Sequence, residues 1–448
     1  MSSKSITKKL YLPSTPNDFI FGTATSSYQI EGTSFGQCGQ THWDSFSKKP
    51  HATYKKEDGS IACNHIQNWE KDLALVADAG FSAYRFSFSW PRLIIDGKLK
   101  INSQGFSFYD RLIDSMLAKE LLPFATLYHW DLPQTLADTG GWTNRETCKW
   151  FADYTEKVMQ SFGDRLYSVA TINEPWCVAW LSHFLGHHAP GLKSLSAAIK
   201  SMHFILVAHS EAMTVMKSFN QENIGVVLNK EFMLPATNSS DDVLASILAD
   251  EIYNLWFDEA IFNGQYPQRT LKLFEHYMPE NFEQDLPGIS QKLDWIGLNY
   301  YTRSIIKADK LEKSIGYKSI SGDLSKTDMG WEIFPQGLTN LIKRQVDNYS
   351  KNTPIHITEN GMANKDIITN GVVIDRPRMD YYLMHLQEIK VLIDKRLPIK
   401  SYFAWSLLDN FEWAFGYQKR FGLVYVDYKT QKRIPKSSYY AFKNALKS

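Results

Sequence analysis

Cysteine is scarce in this chain. Its 448 residues hold four, Cys38, Cys63, Cys148 and Cys177. They form no C-x-x-C pair and no zinc-ligand spacing, so they predict free thiols in a reducing compartment. An excess of charge of either sign is also missing. With 49 Lys and Arg against 48 Asp and Glu, the formal net charge is +1. No field of that size gathers nucleic acid or anionic lipid, so neither is expected as a partner. No apolar run approaches the roughly 20 residues that span a bilayer. The first ten residues carry Lys4, Lys8 and Lys9 and lack the apolar centre of a signal peptide. They read as a solvated basic tail, and a cytoplasmic location is expected. The sequons at Asn238 and Asn348 then carry no weight. Linkers, low-complexity stretches and clear repeats are absent as well.

What is present is an ordinary globular balance, 44% hydrophobic and 22% charged, with 14% aromatic residues and 13 Trp. Length alone allows two or three domains, but one α/β barrel with insertions reaches this size. The expectation is therefore a single domain over residues 1–448. Apolar β-prone stretches alternate with segments of helical periodicity. Strands are expected to end near Thr25, Ser89, His129, Asn173, Asn229, Tyr300, Glu359 and Leu407. Helices are expected over about 69–78, 108–117, 146–162, 195–219, 241–262, 337–349, 378–395 and 436–447. Eight such alternations predict a (β/α)8 barrel with its active site at the C-terminal ends of the strands.

Every expected strand end carries an unusual polar or aromatic residue. In order these are Gln29, Arg85, His129 with Trp130, Asn173 with Glu174, Asn229, Asn299 with Tyr301, Glu359, and Trp405 with Glu412 and Trp413. Together they make a ring on one face of the barrel. Glu174 lies in TINEP and Glu359 in ITENG, each after a short apolar run. An acid at the end of a buried strand is costly without a partner or a task. Two in one cleft point to acid/base or covalent chemistry at a sugar acetal, with one carboxyl protonated and the other ionised. Asn173 can bond a hydroxyl beside the reacting carbon. Arg85 would hold a neighbouring carboxylate ionised by its charge, and Tyr301 by hydrogen bonding. Exposed Trp and Tyr would stack on pyranose faces, although core packing accounts for many of them.

Plainer readings compete. A lone N-E-P or E-N-G reads best as a helix-start acid stabilised by the dipole; two at strand ends favour chemistry. His129-Trp130-Asp131-Leu132-Pro133 taken alone is a strand end stopped by proline. His42, His65, His183, His187 and His188 lack any H-E-x-x-H pattern or matched acid, so they read as core or surface histidines and no metal is expected. Trp331 suits packing and an aromatic wall for a leaving group equally.

These residues, taken as an ordered set, resemble glycoside hydrolase family 1, the β-glucosidase family. The resemblance runs from FIFGTATSSYQIEG (19–32) through YRFSFSWPR (84–92), YHWDLP (128–133), the two acid motifs, NYYT (299–302) and WSLLDNFEW (405–413) to FGLVYVDY (421–428). It implies retaining hydrolysis of β-glycosides by double displacement, on small-molecule or oligosaccharide substrates, without a metal or organic cofactor. By position Glu174 resembles the acid/base and Glu359 the nucleophile. Gln29, His129, Asn173, Glu412 and Trp413 resemble ligands of the nonreducing sugar, and Trp405 its stacking floor. Trp130 and Phe421 are counted with the substrate contacts. Arg85 and Tyr301 resemble residues that hold the nucleophile, and Trp331 and Trp176 leaving-group contacts.

The chain departs from the family pattern at Gly36-Gln37-Cys38-Gly39-Gln40, Asn64-His65-Ile66 and Asn229-Lys230-Glu231-Phe232. These loops border the expected leaving-group entrance, so they bear on the aglycone. A β-glucosidase with some tolerance for galactosides or fucosides is the expected activity. The rivals are a 6-phospho-β-glucosidase and an inactive sugar-binding protein on the same fold. Intact Glu412, and Phe421 where a phosphate pocket would use Tyr, speak against the first. Survival of both acids speaks against the second. Glu174, where thioglucosidases often carry Gln, speaks against that branch too.

Overall fold

In the computed structural model, residues 10, 12, 15–312 and 314–447 are described. Lys4, Lys8 and Lys9 of the basic tail lie outside them. Eight parallel strands form the barrel: β1 (Ile20–Ala24), β2 (Ala83–Ser87), β3 (Leu122–Tyr128), β4 (Ser168–Asn173), β5 (Ile224–Pro235), β6 (Trp295–Ala308), β7 (Ile355–Asn360) and β8 (Ile399–Trp405). Each pairs with the next, and β8 pairs with β1, so the sheet closes on itself. The expected (β/α)8 barrel is the fold.

The connecting helices are α1 (His65–Asp78), α2 (Ser103–Ala118), α3 (Glu146–Phe162), α4 (Leu195–Ser218), α5 (Ser240–Asp250), α6 (Pro335–Gln345), α7 (Arg376–Asp394) and α8 (Ser437–Leu446). The ends of α3 and the start of α4 match the periodicity. Helix α2 begins five residues before the expected start, because the Asn102 side chain accepts a hydrogen bond from Gln104 N and caps a turn of weak helix formers. Helix α5 ends earlier than expected. From Glu251 to Asn263 the chain passes through two wide-turn segments around a short α-helical one, a feature that apolar spacing does not signal.

Strands β5 and β6 overshoot their expected ends. Asn229 and Asn299 do not stop them but pair with each other, and the two strands continue together beyond the barrel to Pro235 and Ile306. The register slips between Tyr300 and Arg303, so β6 carries one extra residue opposite Glu231. Strand Tyr317–Ile320 adds to this extension antiparallel.

Inside the barrel, Ile20, Ala24, Ala83, Phe124, Phe403 and Trp405 form one buried cluster, and Ala170, Val227 and Trp295 another. Gly22 makes room for Phe403, since a Cβ there would stand 2.3 Å from the ring. Complete burial of a side chain of that size contributes roughly 1.5–3 kcal/mol. The larger core lies between barrel and helices. Register then fixes the top layer. Ala24 pairs with both Arg85 and Trp405, and Asn299 with both Asn229 and Glu359.

A buried ion network ties the loops after β7 and β8 to α7 and α8. Lys436 Nζ bridges Asp366 and Asp409, Arg378 binds Asp366 and Asp375, and Arg420 binds Asp409 at 2.6 Å. Three carboxylates meet three cations, so the charges balance without water. Asp409 opens the segment that carries Glu412 and Trp413.

Candidate active site

A cavity of about 680 Å³ opens at the C-terminal ends of the strands. Of the residues expected in the site, His129, Trp130, Asn173, Glu174, Trp176, Tyr301, Trp331, Glu359, Trp405, Glu412, Trp413 and Phe421 line it. Arg85 and Gln29 stand directly behind the lining, 2% and 0% exposed.

Glu359 sits near the end of β7 with both oxygens engaged. Arg85 Nη1 donates to Oε1 at 2.6 Å, and the Tyr301 hydroxyl donates to Oε2 at 2.6 Å. The extra residue in β6 lies in the segment that brings Tyr301 here. Burial raises the Glu359 carboxyl above its ordinary value, while Arg85 and Tyr301 oppose that rise. Glu174 follows the last residue of β4. Burial first, then the charge of Glu359, pushes it up to about 7. The two carboxyls titrate as a pair. Arg85 and Tyr301 bond Glu359 directly, so the shared charge resides on Glu359 and the proton on Glu174.

Asn299 orients Glu174. Its amide nitrogen donates to Glu174 Oε1 at 2.7 Å and to Asn173 Oδ1 at 3.1 Å. Its own oxygen accepts from Thr358 Oγ1 at 2.7 Å, which fixes the amide orientation. With Oε1 occupied as an acceptor, the acidic proton of Glu174 belongs on Oε2. Asn173 Oδ1 also accepts from Arg85 Nη2 at 2.8 Å, and its amide nitrogen lies 3.2 Å from His129 Nε2. Burial, then the charge of Arg85, holds His129 well below its ordinary value, so it is neutral. Its Nε2 faces the Asn173 donor, which assigns the proton to Nδ1.

Glu412 is 9% exposed and lies 3.5 Å from the Gln29 amide nitrogen. Burial, then the charges of Glu359 and Glu174, pushes it up to about 8. Gln29 is itself tied to Asn410 and the Phe411 carbonyl. The Trp413 ring lies 4.7 Å from Trp130 and 4.8 Å from Trp43, and is nearly parallel to Tyr28. Glu174, Trp130 and Trp413 all have positive φ, at 52°, 77° and 49°. Such backbone is strained for these residue types and persists only where surrounding contacts impose it.

Sequence reasoning placed Asn299 in the ring of strand ends but did not see its bond to Glu174. It also missed Cys177, Tyr253, Thr302 and Met329, which line the same cavity. The only signal for Asn299 was a polar residue in an apolar strand, and that cannot name a partner 125 positions away. Of the histidines read as core or surface, His187 and His188 line the cavity, His188 with its ring 5.2 Å from Trp130. His65 pairs with Asp72 at 2.8 Å, and burial holds His42, His183 and His188 low. Among the described residues no cluster of His, Cys, Asp or Glu is arranged to hold a metal ion, and no helix is long and apolar enough to cross a membrane. The four cysteines are free.

Comparison with known proteins gives a consistent set. The model described as "Glycosyl hydrolase family 1" matches residues 12–448. Beta-glucosidase A of Thermotoga maritima is 41% identical over 97% of this chain and 98% of its own length. A beta-glucosidase of an Agrobacterium species is 43% identical over 94% and 93%. The solved structure of the family 1 β-glucosidase from Thermotoga maritima superposes with a TM-score of 0.94 at 41% identity, covering 97% of this chain and 98% of that one.

Proposed function

The chain belongs to glycosyl hydrolase family 1, and from that premise we propose that it is a retaining β-glucosidase acting as one catalytic domain. Its substrates are terminal nonreducing β-D-glucosides. The observation that carries this reading is the asymmetric pair of acids: Glu359 held ionised by Arg85 and Tyr301 at 2.6 Å each, Glu174 pushed up to about 7. One site thus holds a nucleophile and an acid at the same pH.

In the first step Glu359 Oε attacks the anomeric carbon as the bond to the leaving oxygen breaks. Glu174 passes its Oε2 proton to that oxygen. A covalent glycosyl-enzyme and a free alcohol result. Glu174, now ionised, takes a proton from water in the second step. The hydroxide equivalent attacks the anomeric carbon, and the bond to Glu359 breaks. Two inversions at one carbon give net retention. Glu359 loses its negative charge on forming the covalent bond and regains it on release, so the bonds from Arg85 and Tyr301 weaken and then recover, tuning the nucleophile as well as holding it.

Glu412, Gln29, His129 and Trp413 surround the glucose hydroxyls, over the Trp405 ring. Galactosides and fucosides fit more slowly, because their axial 4-hydroxyl meets Glu412 at a different angle. The 6-phosphate rival meets an unfavourable site. Lys419 already lies 3.2 Å from Asp328, and Phe421 brings no hydroxyl. A dianion would have to be desolvated beside the Glu412 carboxyl, where a neutral hydroxyl otherwise sits. Four free thiols support a cytoplasmic location.

The test is the anomer released first from an aryl β-glucoside, followed by proton NMR. Initial β-glucose supports the reading. Initial α-glucose, or no turnover with any aryl glycoside, overturns it.

A further inference from the structure

Glu412 and Trp413 lie on a tight turn with two strained residues. Trp413 has φ 49°, and Gly416 has φ 56° and ψ −131°, a combination open in practice to glycine alone. Inside the turn, Phe415 N donates to Glu412 O at 2.9 Å and Gly416 N to Trp413 O at 3.0 Å. Part of the hold from outside comes from the loop between β1 and α1, through Glu57. This acid is part-buried and is not among the residues that line the cavity.

The peptide group joining Gly416 to Tyr417 is bonded on both sides. Its carbonyl oxygen accepts from Glu412 N at 2.7 Å, and its N–H donates to Glu57 Oε2 at 2.7 Å. A peptide plane is rigid, so a shift on one side is passed to the other. Glu57 Oε2 also fills the space a side chain would take, since a Cβ at Gly416 would stand 2.2 Å from it. The neighbours of Glu57 reinforce the grip. The Tyr417 hydroxyl donates to Asp58 O at 2.6 Å, and Gly59 N donates to the Tyr28 hydroxyl at 3.3 Å. Tyr28 in turn lies nearly parallel to Trp413, their rings 6.0 Å apart. A space-filler would not need a charged oxygen at 57. A carboxylate accepting a backbone N–H makes a bond about twice as strong as a neutral one. Resting on the glycosidase reading above, we propose that Glu57 is a positioning residue for sugar recognition. Its carboxylate sets the Gly416–Tyr417 peptide, and through that peptide the placement of Glu412 against the glucose hydroxyls.

The experiment is a double-mutant cycle on kcat/KM for 4-nitrophenyl β-glucoside. Glu57→Met and Glu57→Gln are each made in the unmutated protein and in Glu412→Ser. Methionine keeps the length of the side chain and removes the oxygen acceptor. Glu57→Met is expected to lose about tenfold or more, but less than about threefold once Glu412 is already serine. Glu57→Gln keeps an acceptor without the charge, so it should lose only about two- to fivefold, and less than about twofold in Glu412→Ser. A purely structural role would act whether or not Glu412 is present. Equal losses in the two backgrounds, a smaller loss in Glu57→Met, or Glu57→Gln as damaging as Glu57→Met therefore overturns the proposal. If Glu57→Met does not fold, judged by circular dichroism, Glu57→Gln decides alone, and no loss or the same loss in both backgrounds overturns it. Failure of the unmutated protein to cleave the aryl glucoside at all would instead remove the glycosidase reading beneath it.

Discussion

The Asn299 amide nitrogen stands 2.7 Å from Glu174 Oε1. This one bond decides which oxygen of Glu174 carries the proton, and it favours the ionised form, opposing the rise that burial and Glu359 impose. Asn299→Ala should then raise the Glu174 pKa and move the alkaline limb of kcat/KM upward. It should also cost about 10–100-fold with poor leaving groups, because the acid is no longer held in place. A pH–rate profile on an alkyl glucoside checks both. A limb that moves downward would contradict the assigned bond.

Glu359→Gln should abolish nearly all turnover while leaving the fold intact, because the change is isosteric. It removes the negative charge that keeps Glu174 protonated. A like charge nearby raises a carboxyl pKa, so its removal lowers the Glu174 pKa toward the ordinary value. Titration of the remaining acid by carbon NMR reads that shift. In Glu359→Gly, azide should restore activity with an inverted, α-linked product.

Glu174→Ala should separate substrates by leaving group. Loss of a general acid costs about 10²–10⁴-fold where the leaving oxygen needs a proton. A dinitrophenyl glucoside, whose leaving group departs as an anion, should lose far less. Steady-state rates on a graded aryl series measure the slope, and equal losses across it would refute the acid role.

Sugar choice should follow Glu412. Aryl β-glucosides should be cleaved well and their 6-phosphates poorly, since Lys419 is committed to Asp328 and Phe421 brings no hydroxyl for the phosphate. Glu412→Ser should cost about 5–150-fold on the glucoside, since leaving buried sugar hydroxyls without their acceptor costs about 1–3 kcal/mol. It should narrow the gap to the phosphorylated substrate without closing it. A kcat/KM ratio favouring the 6-phosphate on the unmutated protein would overturn the substrate assignment and leave the retaining chemistry standing.

Lys436→Met should destabilise the protein by about 3–5 kcal/mol, because it leaves Asp366 and Asp409 facing each other in a buried site without their shared cation. Denaturant unfolding measures the loss. The damage should appear in sugar binding as well, since Asp409 anchors the segment bearing Glu412.

The sequence by itself determined the alternation of strand and helix, the family, and the ring of polar residues that holds both acids. Those features are local. A strand end shows as an apolar run broken by a polar residue, and a helix by its 3.6-residue spacing, whatever the rest of the chain does. Tertiary structure alone decided the partners. Arg85 and Glu359 are 274 positions apart, and their 2.6 Å contact depends on how the barrel closes and on the register of each strand pair. The continuation of β5 and β6 past Asn229 and Asn299 was hidden for the same reason. A polar residue that ends a solitary strand can be satisfied across a neighbour, and no local pattern reveals that neighbour. Glu231 shows the limit most sharply. In sequence it is an acid beside a lysine, which suggests a local pair. In the fold Lys230 turns to Asp258, and the carboxyl of Glu231 is left to the cavity.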